Sequence, residues 1–214
     1  MPEVLSSKNK RRKYNLAAVI YNKIRTGFMP KYHKAKSFLL YKWLFEKMGR
    51  NSFLIKPLKL SDPQNIFIGN NVSIFHKTWL LTYQVSEKIP ELIIDDGATI
   101  GHFNHITCVN RVYIGKNVLT ADKVYISDNL HGYENINVPV SCQPVFSKGE
   151  VFIGDETWIG ENVAIISSKI GKHCVIGSNS VVTKDVPDFS VVAGAPARVI
   201  KQYSDVTGKW ERVK

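Results

Sequence analysis

An Ile-Gly step repeats along the chain, and it constrains the fold more than any other feature of the sequence. The steps are Ile68-Gly69, Ile100-Gly101, Ile114-Gly115, Ile153-Gly154, Ile159-Gly160, Ile170-Gly171 and Ile176-Gly177. Isoleucine also recurs every sixth residue, as at 153, 159 and 165. An α-helix returns its inward face every 3.6 residues and does not match this period. A short strand, a tight corner and another strand do match it, so the repeat predicts an all-β solenoid, a parallel β-helix.

Three six-residue units would form three flat faces, so one coil should take about eighteen residues and rise about 4.8 Å. The fourth residue after each anchor isoleucine is mostly small or β-branched. These residues are Val72, Ala98, Val118, Thr157, Val163, Cys174 and Ser180. The glycine after each anchor suits a corner where φ is positive, and nearby Asn and Asp tolerate the same corners. Residues 153–182 leave no room for crossover helices, which argues against an ordinary parallel sheet.

The repeat divides the chain into three parts. Residues 1–60 form a basic helical segment, residues 61–203 the β-helix, and residues 204–214 a C-terminal tail. The period is interrupted at 80–92 and again at 129–150, where no anchor residue occurs. A long excursion from a tight coil is usually functional or disordered. The second excursion contains His131 near its start, so it is the first place to look for chemistry.

The positive charge is concentrated near the start of the chain. Residues 1–60 hold 15 Lys and Arg against 2 acids, a net charge of +13, whereas residues 61–214 hold 14 against 16, a net charge of −2. A nucleic-acid-binding protein would carry its basic residues with a recognisable reading motif. The sequence has no such motif, so it predicts a local anionic partner and no nucleic acid.

Two amphipathic helices are predicted in the basic segment, at 14–28 and 31–48, separated by Gly27 and Pro30. Two compatible interpretations stay open: a cap over the first coil, or a peripheral contact with an anionic membrane surface. No apolar stretch approaches about 18 residues, so no membrane span is expected. Residues 1–13 are too polar for a signal peptide.

The cysteine pattern predicts a reducing, cytoplasmic compartment. Cys108, Cys142 and Cys174 form no close pair, and an odd number argues against a disulfide framework. Cys174 occupies a small inward position of the repeat and is expected in the core.

His131 is the candidate general base. It stands where the coil opens into the second excursion, beside Gly132 and between the acids Asp128 and Glu134. An imidazole changes its protonation near neutral pH, which suits it to proton transfer. Without further information a histidine exposed on a loop, with no functional role, is the alternative.

Four motifs resemble those of the hexapeptide-repeat O-acetyltransferases, a family that includes galactoside and maltose acetyltransferases and enzymes of surface-polysaccharide biosynthesis. The motifs are Ile176 to Pro187, Gly194 to Lys201, Glu156 to Gly160 and Ser127 to Glu134. The resemblance extends from about residue 66 to residue 203. It implies a left-handed β-helix with a closing C-terminal element, acetyl-CoA as co-substrate without a metal, a sugar or glycan hydroxyl as acceptor, and a homotrimer with active sites between subunits.

The resemblance also implies roles for individual residues. His131 falls on the catalytic histidine that removes the proton of the acceptor hydroxyl. Predicted substrate-binding residues are Asn104, Tyr133 and Glu134. Predicted coenzyme-binding residues are Trp158, Ser178, Thr183, Lys184, Arg198 and Lys201. The group that orients His131 is left open between Asp128, Glu134 and a backbone carbonyl. The alternative for Asn104 is a structural role at a corner. The alternative for Trp158 is packing at the contact between subunits.

Two other functions fit parts of the sequence. His102, His105 and His131 could hold zinc as in a γ-carbonic-anhydrase-like hydratase, although His102 and His105 should face opposite sides of one strand. A β-helix that only scaffolds a glycan-biosynthesis complex through its basic segment is the non-catalytic alternative. The basic segment does not resemble that of the galactoside enzymes, so the acceptor stays unassigned.

Overall fold

The computed structural model describes residues 16–213, which form a helical arm followed by a parallel β-helix. The arm consists of α1 (Leu16–Lys23), a π-helical turn (Ile24–Phe28) and α2 (Met29–Leu40). The chain then turns through 41–46 into the first coil. We refer to residues 16–46 as the arm. The predicted helix start at Tyr14, and residues 1–13, lie outside the described residues.

The predicted break between two helices is wrong. Pro30 lies in the first turn of α2, where its missing N–H is not needed. The wider π-helical turn before it, with the Met29 N–H bonded to the Ile24 carbonyl, carries the helix through. The second helix also ends earlier than predicted, at Leu40 instead of Met48.

Six coils of three short strands follow. Coils one to three contain β1 (Lys47–Met48), β2 (Phe53–Leu54), β3 (Lys59–Ser61), β4 (Ile66–Ile68), β5 (Ser73–Ile74), β6 (Trp79–Thr82), β7 (Glu91–Ile94), β8 (Thr99–Ile100) and β9 (His105–Cys108). Coil four contains β10 (Arg111–Ile114), β11 (Leu119–Thr120) and β12 (Tyr125–Ser127), and a hairpin of β13 (Asn129–His131) and β14 (Val145–Ser147) follows it. Coils five and six contain β15 (Val151–Ile153), β16 (Trp158–Ile159), β17 (Ala164–Ile166), β18 (Lys169–Ile170), β19 (Val175–Ile176) and β20 (Val181–Val182). The chain closes with β21 (Ser190–Gly194), β22 (Ala197–Ser204) and β23 (Lys209–Arg212).

The strands stack into three parallel sheets, one for each face of a prism. Sheet A contains the first strand of each coil, sheet B the second and sheet C the third. In sheet B, β21 continues the parallel stack, and β22 and β23 then add antiparallel strands. Two domain boundaries therefore differ from the prediction. The first coil begins at Lys47, inside the segment assigned to helices, and residues assigned to the tail form β23.

The anchor residues form vertical stacks inside the prism. Ile68, Ile94, Ile114, Ile153 and Ile170 are in register in sheet A, and each is at most 1% exposed. The predicted small positions are buried beside these stacks, Cys174 among them at 1%. All three cysteines are free thiols. The tight coil from Ile153 to its partner Ile170 takes 17 residues, close to the expected eighteen.

The corner glycines have a different role from the predicted one. Gly69 and Gly154 do not have positive φ; a Cβ added at Gly69 would lie 2.6 Å from the Asp96 nitrogen, and one at Gly154 would lie 2.6 Å from the Gly171 carbonyl carbon. Glycine is needed there because consecutive coils approach closely. The positive φ falls two residues later, as at Asn71 with 58°, where asparagine tolerates the left-handed region.

Candidate functional site

Two excursions leave the prism at the same corner, where sheet C passes to sheet A. Residues 83–90 follow β6, and residues 128–150 follow β12. Between them lies a cavity of about 550 Å³. Its lining residues are Trp79, Leu81, Tyr83, Val85, His105, Thr107, Val109, Tyr125, Asn129, Leu130, His131 and Val145. The corner is thus a concave site on an otherwise regular coil, which is where ligands are expected.

His131 lies on the hairpin that forms one wall of this cavity. It is the last residue of β13 and pairs with Val145 of β14. The Gly132 N–H bonds to the Pro144 carbonyl at 2.8 Å, and the Gln143 amide bonds to two carbonyls of the loop. The excursion is therefore an ordered hairpin that holds an exposed imidazole at the cavity. No hydrogen bond formed within residues 16–213 involves the His131 ring.

Asp128 fixes the base of the hairpin. Its carboxylate is fully buried and accepts hydrogen bonds from the backbone N–H groups of Val109, Asn110 and Arg111 at 2.7 to 3.2 Å. The Asn129 side-chain amide donates a further bond at 3.0 Å. A buried carboxylate needs such donors, so Asp128 acts here as a structural anion. Tyr133 and Glu134, the other predicted neighbours of His131, are exposed and do not line the cavity. The Glu134 carboxylate accepts a hydrogen bond from the N–H of Tyr133.

Asn104 is a corner residue in this geometry. It is fully buried, and its Nδ2 donates to Thr120 Oγ1 at 2.7 Å and to the carbonyls of Gly101 and Ala121 at 3.1 Å. Its Oδ1 accepts from the Val124 N–H. Every polar atom of the side chain is bonded within the coils, which favours the alternative role over contact with substrate.

The histidines proposed as zinc ligands are separated. His102 lies at a corner, 3.1 Å from Asp122 and stacked on His76. His105 lies on the outer surface of sheet C, between Trp79 and Tyr125. Among the side chains of residues 16–213, no group of three or more His, Cys, Asp or Glu has the geometry to hold a metal ion.

Sequence reasoning missed an aromatic row beside His131. Trp79, His105 and Tyr125 are in register on three consecutive coils of sheet C, each immediately before a buried anchor. Residues before and after a buried strand position face outward. An aromatic residue before the anchor in three successive coils was therefore a signal in the sequence that could have been read.

The predicted coenzyme-binding residues fall in two places. Trp158 is half-exposed on the outer surface of sheet B. Lys184 and Arg198 line a pocket of about 150 Å³ at the C-terminal end of the coils. The rest of the set is exposed nearby on the surface: Ser178, Thr183 and Lys201. In a three-sided prism, sheet B is opposite the corner that carries His131, so one chain does not bring Trp158 and His131 together.

Known proteins share both sequence and fold with this chain. No family model matches it. WbbJ of Escherichia coli K12, named as a candidate O-acetyl transferase of lipopolysaccharide biosynthesis, is 34% identical over 128 residues, which is 56% of this chain and 65% of WbbJ. The chain thus spans less than two thirds of that relative. Galactoside O-acetyltransferase from the same strain is 34% identical over 172 residues, 78% of this chain and 68% of the enzyme.

A solved structure confirms the architecture. A point mutant of AntD, an N-acyltransferase from Bacillus cereus, in complex with dTDP-4-amino-4,6-dideoxyglucose and coenzyme A, superposes with a TM-score of 0.67. The match covers 80% of this chain and 91% of AntD at 20% identity. The predicted fold is confirmed: the chain is a left-handed parallel β-helix.

Proposed function

The chain belongs to the hexapeptide-repeat acetyltransferase family, and from this we propose that it is an acetyl-CoA-dependent O-acetyltransferase acting on a sugar hydroxyl in glycan biosynthesis. The observation that carries the proposal is the cavity at the corner between sheets C and A, with the His131 imidazole exposed on its wall. The relatives contribute the reaction class, because WbbJ and galactoside O-acetyltransferase are both named for acetyl transfer to oxygen.

His131 acts in this mechanism as the general base. Its ring accepts the proton of the acceptor hydroxyl as that oxygen attacks the acyl carbon, and later returns the proton toward the departing thiolate. Acetyl-CoA supplies the activated acyl group as a thioester. Direct attack by the acceptor makes a covalent acyl-enzyme unnecessary. The hairpin contributes by positioning the imidazole, since its base is fixed by the four donors to Asp128.

The site is completed by a second copy of the chain. Lys184 and Arg198 provide the cations that coenzyme phosphates require, and Trp158 provides an apolar surface for the pantetheine. Trp158 and His131 lie on opposite sides of one prism, so they act on one coenzyme only when they come from neighbouring chains. A closed homotrimer gives every chain both roles.

The test is thiol release from acetyl-CoA with a panel of methyl glycosides, oligosaccharides and nucleotide sugars as acceptors. We expect His131→Ala to lower acceptor-dependent turnover by about 10²- to 10⁴-fold, with the coils intact by circular dichroism. The matched control is His173→Ala, an exposed histidine bonded to Glu156 at another part of the coil. Equal turnover in both variants would remove His131 from the mechanism. If the protein transfers acetyl to none of these acceptors, the result would favour the non-catalytic scaffold. If the purified protein contains stoichiometric zinc, the result would favour the γ-carbonic-anhydrase-like hydratase.

A second partner of the same protein is an anionic membrane surface, which we propose as the binding site of the arm. Residues 16–60 hold ten Lys and Arg against one acid, Glu46. Beside these cations the arm exposes large apolar side chains, among them Leu16 at 72%, Phe28 at 64%, Leu39 at 70% and Trp43 at 83%. Apolar insertion combined with attraction to anionic lipid is the chemistry of an interfacial helix. Within residues 16–213, no helix combines the length and hydropathy needed to cross a bilayer.

Co-sedimentation of the whole chain with vesicles tests this contact. We expect binding to phosphatidylglycerol–phosphatidylcholine vesicles at low salt, weaker binding as salt screens the charges, and little on phosphatidylcholine alone. Trp43→Ser should weaken binding, whereas the control Val206→Ser, at the opposite end and 96% exposed, should not. An absence of binding to anionic vesicles at low salt would contradict the proposal, and a loss of the oligomer in Trp43→Ser would assign the arm to contacts between copies.

A further inference from the structure

An aromatic row leads into the candidate active site along sheet C. Trp79 and His105 rings lie 4.7 Å apart between centroids, and His105 and Tyr125 rings 5.2 Å apart. The Lys59 ammonium lies 5.9 Å from the Trp79 ring at one end. At the other end the next residue in register is Ala164, so the row stops where the hairpin interrupts the coils. The row therefore spans the coils that adjoin the cavity.

The row presents polar edges that the chain itself does not use. Hydrogen bonds within residues 16–213 leave the Trp79 indole N–H, the Tyr125 hydroxyl and both ring nitrogens of His105 without a protein partner. Burial, and after it the charge of Lys59, lower the pKa of His105 below its ordinary value. At neutral pH this imidazole is therefore uncharged, with one donor and one acceptor nitrogen.

The row and His131 line one cavity. Two residues further along the same strands, Leu81 and Thr107 are buried in register on the same face and line the same cavity. Asn129, whose amide bonds to Thr107 Oγ1 at 3.3 Å, joins this floor to the hairpin. A ligand that contacts the rings is thus held against the wall that carries His131.

The geometry points to Trp79, His105 and Tyr125 as the binding platform for the pyranose ring of the acceptor, an inference that rests on the proposed function. A pyranose has an apolar face of C–H groups and a rim of hydroxyls. Aromatic side chains with a polar edge match both surfaces, since the ring face packs on the C–H groups while N–H and O–H groups bond to hydroxyls. The platform would hold the sugar so that one hydroxyl meets His131. It thereby makes these three residues determinants of acceptor specificity.

Binding in the absence of acetyl-CoA tests the platform separately from the reaction. Saturation-transfer NMR and calorimetric titration with methyl glycosides and their disaccharides would be run on the wild type, Trp79→Ala, Tyr125→Ala and the milder Trp79→Phe. We expect a loss of sugar affinity of about 3- to 10-fold for each alanine variant and a smaller loss for Trp79→Phe, which keeps the ring face and lacks the indole N–H. The matched control is Phe152→Ala, an outward ring stacked 5.0 Å from Tyr113 on sheet A, which should bind the sugar as the wild type does.

Kinetics then separate the platform from the proposed function. The alanine variants should raise the acceptor KM by a similar factor and leave the acetyl-CoA KM unchanged, whereas His131→Ala should keep its sugar affinity and lose turnover. If Trp79→Ala and Tyr125→Ala bind every glycoside as tightly as Phe152→Ala does, the platform is refuted even when transfer depends on His131. It is equally refuted if those variants change only the oligomer mass, because the row is then a contact between copies.

Discussion

The β-helix and the arm use apolar residues in opposite ways. In the coils, isoleucines such as Ile94, Ile114 and Ile153 are completely buried, and each stacks on its counterpart one coil away. In the arm, Ile20 is 50% exposed and Trp43 83% exposed, and Ser37 is the buried residue of α2. The coils therefore bury their own anchor residues. In the arm, Phe45 is buried in the core at 5% exposed, but the exposed apolar side chains must be explained by something outside this chain.

Truncation of one isoleucine in each region is the strongest test of this difference. Ile153→Ala should lower the free energy of unfolding by about 2–5 kcal/mol, because it leaves a cavity in a stack with no room to collapse. Ile20→Ala should change it by less than about 0.5 kcal/mol, since the side chain leaves water only in part. Urea unfolding followed by circular dichroism measures both. Equal losses would show that the arm is packed as part of the core.

The difference also explains which parts of the fold the sequence predicted. The anchors of the coils obey a strict period, and each contributes to the same buried stack, so the architecture could be predicted from spacing alone. The arm has no such period. Its helix continues through Pro30 because a π-helical turn accommodates the ring, and the first coil begins at Lys47 although no Ile-Gly step marks it. In the arm, single glycine and proline residues without a repeat were insufficient to predict where the helix and the first coil begin and end.

The candidate site was predictable only in part for a similar reason. His131 stood out because it lies where the period ends, and the structure locates it on a cavity wall. Asp128, by contrast, was a candidate to orient His131. Its carboxylate instead accepts hydrogen bonds from the N–H groups of 109–111, where coil three passes into coil four. Spacing along the chain does not reveal contacts between coils. The Trp79 row was missed because its members are 26 and 20 residues apart along the chain, and coiling makes them neighbours.

The Ser37 hydroxyl is one of the contacts that join the two regions, and its removal should have an intermediate effect. Ser37 of α2 is fully buried; it accepts from the Leu54 N–H at 2.9 Å and donates to the Leu54 carbonyl at 3.2 Å. Ser37→Ala leaves a buried N–H without a partner, which costs about 1–3 kcal/mol. The loss should appear as faster amide exchange in 29–40 with unchanged exchange in 151–176. The control is Ser141→Ala, an exposed serine in the second excursion, and unchanged exchange of α2 in Ser37→Ala would mean that other contacts hold the arm.

The smallest expected effect is a pH dependence of the same junction. Burial is the largest cause that lowers the pKa values of His33 on α2 and His76 on the coils below 6.5. The charges of Lys36 and Lys56 lower the pKa of His33 further. The pKa of His76 is lowered further by His102, and then by His33, Lys56 and Lys77. Asp122 is bonded to His102, which stacks on His76. The unfolded histidines thus bind protons at a higher pH than the folded ones, so the contribution of the junction to stability is complete above about pH 6.5 and is lost as pH falls through the lowered pKa values.

Amide exchange of 29–40 at pH 7.5 and 5.5, corrected for the intrinsic rate, measures this loss. Protection of the arm should decrease at pH 5.5 in the wild type, and His33→Phe should reduce the decrease, because Phe keeps the ring that packs on Phe53 without its proton. His173→Phe, at the far end of the coils, should leave the decrease in protection of the arm unchanged. Amide exchange of the coils is the internal reference in every variant. The Ile153 stack contains no titratable group, so its exchange should not change with that of the arm. If the His33→Phe protein loses as much protection as the wild type, the histidines do not couple the arm to the coils.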